Sequence, residues 1–222
     1  MTKPFALLPL MALLSGCSSM IPQGEAPVRA PIKRSTTVFT PRPEVRQCLA
    51  MLGSTRANFT PLPDQYYGAG CSTLGTVRLS SLRSDEMNLA LSNLGPVTCP
   101  LAETSAGWAR FGVDRAAQQV LGSALVRIET MGSYNCRNVA GSARRSAHAT
   151  ASAIDVSGFV LADGRRITVS GNWNDQSPRV RQFFSVIHTS ACKRFGTVLS
   201  PAYNAAHRDH LHLELSSSAF CR

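Results

Sequence analysis

The sequence predicts an α+β fold, a small antiparallel sheet with flanking helices, stabilised by disulfides. Three observations carry this. The segment 207-HRDHLHLEL-215 ends in strict alternation, with His210, His212 and Glu214 on one side and Leu211, Leu213 and Leu215 on the other. A period of two marks a half-buried strand, its leucines against a core and its imidazoles lining a cleft. Residues 153-AIDVSGFVLADGRRITVSG-171 read as a hairpin turning at Asp163-Gly164. The stretches 99–122 and 177–196 carry helix start and stop signals.

Taken in order, residues Glu44 to Leu52 form a short helix carrying Cys48, and the domain runs over 44–222. The next stretch, 53-GSTRANFTPLPDQYYGAG-70, is rich in turn residues. Its Tyr66 and Tyr67 cover the core or rim a groove, and core packing is the preferred expectation. A strand is expected around Val77 and Leu79, followed by punctuation at Gly95-Pro96. The helix from 99 has Pro100 in its first turn and Gly122 as its stop. Leu101, Trp108, Phe111, Ala116 and Val120 make its apolar stripe, with Trp108 buried rather than bound to a cofactor. Residues 124-ALVRIET-130 read as a strand. The loop 131–150 has few apolar residues and holds Arg137, Arg144 and Arg145, any of which can fork onto a carboxylate. In the helix from 177, Ser177 can cap, Pro178 can start the first turn and Gly196 can stop it. Val180, Phe183, Phe184, Ile187 and Cys192 face the core. His188 in that helix reads as structural or exposed, without a metal-ligand companion at helical spacing.

The start, MTKPFALLPLMALLSGCSSM, places one basic residue before an apolar run too short to span a membrane, the pattern of an export signal. Leu14-Ser15-Gly16-Cys17 closely resembles the lipobox of bacterial lipoproteins. That resemblance implies cleavage after residue 16, lipid on Cys17, and, with Ser18 and Ser19 following, an outer-membrane address on the periplasmic side. Residues 17–43, rich in Pro, Ser, Thr and basic side chains, read as a tether. The formal net charge is +10, which favours acidic polymers. Nucleic acid has only that charge in its favour, since no basic–aromatic interleaving accompanies it, and no nucleic-acid partner is expected. Anionic cell-wall surfaces are the expected neighbours. The sequence has no internal repeat, no phosphate-binding glycine loop and no Gly-x-Ser-x-Gly elbow.

Six cysteines follow Cys17, an even number in a chain with an export signal, and so point to three disulfides. Spacing does not fix the pairing. Sequential pairing, Cys48–Cys71, Cys99–Cys136 and Cys192–Cys221, is the expectation.

A two-histidine strand needs a third donor from elsewhere to hold a metal. His148 and Asp155, seven residues apart, are the candidates, with Asp155 opening an alternating run through Phe159. Two imidazoles and a carboxylate suit zinc with one position left open. The pattern Ser146-x-His148-x6-Asp155, then His207-x-x-His210-x-His212, resembles the LAS metallopeptidases, which include D-Ala-D-Ala and murein endopeptidases and the hedgehog domain. The chain from Cys48 to Cys221 also resembles the bacterial extensin-like C-terminal family. The resemblance implies a LAS/hedgehog-like core and Zn2+ on His148, Asp155 and His212. It makes His210 the general base with His207 in support, Ser146 a residue behind the metal ligands, and Arg137 the substrate contact. It implies a zinc peptidase acting on peptidoglycan stem peptides or cross-links; the alternative is a non-catalytic zinc-containing module that binds or braces the wall. Where the pattern has glycine this chain has Ala151, expected at negative φ; Ala153 fits the small position.

Overall fold

The computed structural model describes residues 41–222. The export signal, Cys17 and all but the last three residues of the tether lie outside them. The described chain runs α1 (Pro43–Ser54), β1 (Asn58–Pro61), β2 (Gln65–Gly68), β3 (Cys71–Thr73), β4 (Thr76–Arg83), β5 (Asn88–Ser92), β6 (Val97–Thr98) and α2 (Cys99–Trp108). It continues with β7 (Leu125–Gly132), β8 (Ala153–Leu161), β9 (Arg166–Thr168), α3 (Val169–Asn172), α4 (Pro178–Cys192), β10 (Thr197–Leu199), β11 (Leu211–Glu214) and β12 (Phe220–Cys221).

The fold is α+β with three disulfides, but the sheet is larger than expected and not wholly antiparallel. Its order is β1-β4-β5-β7-β8-β11-β10-β12, with β6 on β4 and β9 on β8, ten strands in all. β5 and β7 run parallel, as do β10 and β12. The first parallel pair follows from α2 and its helical continuation, which carry the chain back before β7 begins. β2 and β3 make a separate hairpin.

The helical stretch from 99 ends at Gly122, whose φ of 74° places it in the left-handed region. Wide π-helical turns at Ala109–Asp114 and Ala117–Leu121 interrupt its regular phase. They explain why the expected stripe fails at Phe111. That ring turns outward and meets the guanidinium groups of Arg110 and Arg115, 5.0 and 4.7 Å from its centroid, while Leu101, Trp108 and Ala116 are buried. Trp108 ties α2 to α4 by donating its indole N–H to the Ile187 carbonyl at 3.0 Å. Its ring meets Phe159 edge-on, and Phe159 in turn meets Phe183. Ser177 does not cap α4 through its side chain; its own N–H donates to Asp175. Tyr66 and Tyr67 are 79% and 53% exposed, so the expected core packing is overturned. They sit on the small β2–β3 hairpin, which is separate from the main sheet.

In β8 the alternation expected from Asp155 to Phe159 breaks. Val156 pairs with Thr130, but Gly158 pairs with Glu129, so one extra residue bulges out at Ser157. Ile154 and Val156 stay inside, and beyond the bulge Phe159 and Leu161 turn inside as well. Asp155 is left on the opposite face. Gly158 follows from the crowding there: a Cβ would stand 3.0 Å from a Glu129 carboxylate oxygen and 3.2 Å from the Ile167 carbonyl.

The disulfides are Cys48–Cys99, Cys71–Cys136 and Cys192–Cys221. Only the last matches the sequential expectation. Cys48 lies on α1 and Cys99 opens α2, and these helices pack together, which brings the two Cα atoms to 6.1 Å. Cys71 starts β3 and reaches Cys136 in the long loop at a Cα separation of 5.6 Å. Non-reducing peptide mapping is expected to find these pairs, and thiol titration of denatured, unreduced protein to find no free thiol among the six. Reducing one bridge is expected to cost about 2–4 kcal/mol of stability; a Cys48–Cys71 peptide would refute the assignment.

Candidate metal centre

β11 and β8 are adjacent antiparallel strands, and their register sets His212 directly opposite Asp155. Side chains at opposed positions share a face and lie side by side. Leu211 and Leu213 are buried in the core, so His212 and Glu214 take the other face with Asp155. His148 arrives from the loop before β8. Residues Ala147–Thr150 form a single tight 3-10 turn, and the Ser146 hydroxyl accepts the His148 backbone N–H at 3.4 Å. Ser146 therefore acts by holding the turn that presents His148. The next residue, Ala151, has φ of 54° and is fully buried. The negative φ expected for it is overturned.

Glycine would suit this left-handed position better than alanine, since a Cβ in this region costs roughly 1–2 kcal/mol. Ala151→Gly is expected to raise stability by about 1 kcal/mol, read from the denaturant midpoint at unchanged slope. A destabilised variant would mean that burial of the methyl outweighs the backbone strain.

Donor atoms of His148, Asp155 and His212 lie within 4.8 Å of one another. His148 Nε2 is 3.1 Å from Asp155 Oδ2 and 3.2 Å from His212 Nδ1, and His212 Nδ1 is 2.9 Å from Asp155 Oδ1. The far nitrogens are already engaged. His148 Nδ1–H donates to the Ser133 carbonyl at 3.0 Å, and His212 Nε2–H donates to Glu214 at 3.2 Å. With those tautomers, two imidazole lone pairs and a carboxylate face one point with no hydrogen to share. Either a proton or a cation must sit there. Zinc bonds of about 2.0–2.1 Å in a tetrahedron place ligand atoms about 3.3 Å apart, close to the separations observed, so the residues fit zinc.

The electrostatics agree with a proton holding the place of a cation. Burial lowers the pKa of His212, but hydrogen bonds to Asp155 and Glu214 outweigh it and push it up to about 9. Burial raises that of Asp155, and hydrogen bonds from His148 and His212 carry it well below the usual carboxylate range.

His210 lies immediately before β11 rather than within it. Its Nδ1–H donates to Asp209 at 2.9 Å, and its Nε2 is 3.6 Å from Asp155 Oδ1. His207 donates Nδ1–H to Asn204 at 2.7 Å, and its ring centroid is 5.1 Å from that of His210. Burial, then neighbouring His210 and His212, pull the His207 pKa down to about 4, so it is neutral near pH 7. Arg137 lines the same groove, of about 660 Å³, as His207, His210 and His212. Arg145 does not; it donates to the Ala69 carbonyl and to Asn138 and pins the β2–β3 hairpin.

Glu214, Asp209 and the Ser133 carbonyl are hydrogen-bond partners of the candidate histidines that sequence reasoning missed. The signal for Glu214 was present, two residues after His212 on the same strand face. A second cluster, His188, Cys192 and Cys221, brings metal-ligating types together as well. His188 and Cys192 are one helical turn apart in α4, which corrects the expectation that His188 has no such companion. Both cysteines are held in one disulfide, which leaves no thiolate to ligate.

The fold and site thus define an α+β domain that carries a largely buried two-histidine, one-carboxylate cluster whose His212 also lines an open groove. Residues 46–222 match the family model described as Extensin-like protein C-terminus, and the chain belongs to that family. No curated protein and no solved structure matches it.

Proposed function

We propose that this domain is a zinc-holding module of the cell wall, with His148, Asp155 and His212 as ligands and the adjoining groove as the surface that takes peptidoglycan. The convergence of three donor atoms with both outer ring nitrogens already engaged supports the metal. Arg137 and Arg144 on the groove wall suit the carboxylates of stem peptides. The export signal and lipobox-like Cys17 would hold the groove on the periplasmic side of the outer membrane. Radiolabelled palmitate should enter the chain and be absent from a Cys17→Ser variant; equal labelling would refute the anchor.

A second reading, a zinc peptidase, is favoured by His210. Asp209 occupies its Nδ1–H, so its Nε2 keeps a lone pair beside Asp155. His148, Asp155 and His212 would hold the zinc, which when bound would supply Lewis acidity to an amide carbonyl. His210 accepts the proton of the attacking water at Nε2 and returns it to the leaving amine. Arg137 takes a substrate carboxylate, and neutral His207 braces the His210 ring.

Co-sedimentation with purified insoluble murein, followed by mass analysis of the supernatant, tests both. Retention without soluble products supports the binding module, and released muropeptides support the peptidase. No retention and no release would overturn both.

A further inference from the structure

The groove has two chemically different ends. The end rimmed by Arg137 and Arg144 is cationic. The other is built from β10, the turn after it that carries Tyr203, the turn after β11, and β12, and it is aromatic and hydroxylic. Tyr203 and Phe220 are 43% and 39% exposed there, with ring centroids 5.5 Å apart in an edge-to-face pair. Beside them Thr197, Ser216 and Ser218 form a triangle of hydroxyls, each 2.8–3.0 Å from the next. All five residues line the groove that holds His207, His210 and His212.

We propose that this end is a saccharide subsite that takes a neutral amino-sugar unit of a glycan strand. It rests on the cell-wall reading and names which part of the polymer this end holds. Partly exposed aromatic rings reward a ligand with a flat C–H surface. The hydroxyls satisfy one another and can each rotate to donate or accept, so they suit a ligand rimmed with both donors and acceptors. A pyranose offers that flat face and that rim together. A peptide strand has no edge to join on β10, which is paired to β11 on one side and β12 on the other. Arg222 stacks its guanidinium over Phe220, which fixes that ring as a wall and leaves Tyr203 as the platform. The turn after β11 packs closely on Gly196, where a Cβ would run into the Ser216 carbonyl.

The probe is a soluble β-1,4-linked N-acetylglucosamine tetramer, titrated against the zinc-loaded domain and followed by backbone amide shifts. Saturable shifts at 197–204 and 216–220 are expected. Tyr203→Ala should weaken binding roughly tenfold, the reach of one aromatic contact, while Tyr203→Phe retains it and zinc content stays unchanged in both. Tyr203 is exposed, so neither change disturbs the core. If insoluble murein retains the protein but the tetramer moves none of these amides at millimolar concentration, the subsite is refuted and the wall reading stands. If neither binds, both fall. Tetramer binding that Tyr203→Ala leaves unchanged would also overturn the subsite.

Discussion

His148→Ala is expected to empty the metal site. Protein purified without chelator should carry about one zinc per chain, as a single three-donor centre predicts, and the variant should carry almost none. The stability effect should be as large. Zinc at about 1,000 times its Kd adds about 4 kcal/mol to a fold that binds it only when folded. At roughly 2–4 °C per kcal/mol for a domain of this size, that is roughly 8–16 °C in Tm. The variant should show no zinc-dependent rise at all. An unchanged rise in His148→Ala would remove His148 from the ligand set.

The pH dependence has a definite sign. The His212 pKa in the metal-free fold, about 9, stands above its unfolded value of about 6.5. Its proton therefore stabilises the metal-free fold fully below about pH 6.5 and progressively less as pH rises through about 9. Zinc must displace that same proton, so zinc affinity should climb over this interval and each binding event should release a proton. Calorimetry in buffers of different ionisation enthalpy counts that proton directly. Zinc binding with no proton release at pH 7 would mean that His212 is already neutral.

How far the sequence could be read follows from where its information is local. The period of two in 210–215 is local, and Leu211, Leu213 and His212 sit as it dictates. The hairpin turn at Gly164 and the stop at Gly122 are local as well, both at positive φ. The opposition of Asp155 and His212 is not local. It depends on β8 and β11 becoming neighbours, which alternation cannot specify. Residue types suggested His148, Asp155 and one histidine of the last strand, and the resemblance only named His212 as that histidine. The bulge at Ser157 and the π-helical turns after Trp108 each shift a phase by part of a turn or one residue. Periodicity carried across them therefore misplaces Phe159 and Phe111. Disulfide pairing failed for a related reason: α1 and α2 pack across 51 residues of chain between Cys48 and Cys99, and spacing says nothing of that.

Removing His210 should separate chemistry from metal binding. His210 and His212 are two residues apart and approach the same carboxylate, yet their engaged nitrogens differ. His212 has Glu214 on Nε2 and turns Nδ1 inward to Asp155 and His148. His210 has Asp209 on Nδ1 and holds Nε2 at 3.6 Å from Asp155 Oδ1, farther out than any of the three ligand contacts. His212→Ala is therefore expected to lose zinc. His210→Ala should keep zinc and, if murein is cut, slow the cutting by about 10²–10⁴-fold, the usual range for a general acid–base group. That corresponds to roughly 3–5 kcal/mol of transition-state stabilisation. Asp209→Ala should act in the same direction by a smaller factor, because it frees the His210 ring to turn and to carry its single N–H on Nε2 instead of Nδ1. Asp209→Asn, whose amide oxygen still accepts the Nδ1–H, should recover much of the loss. Zinc loss in His210→Ala as complete as in His212→Ala would make His210 a ligand rather than a base. Wild-type protein that retains murein, holds zinc and yields no products would leave His210 a groove residue of a binding module.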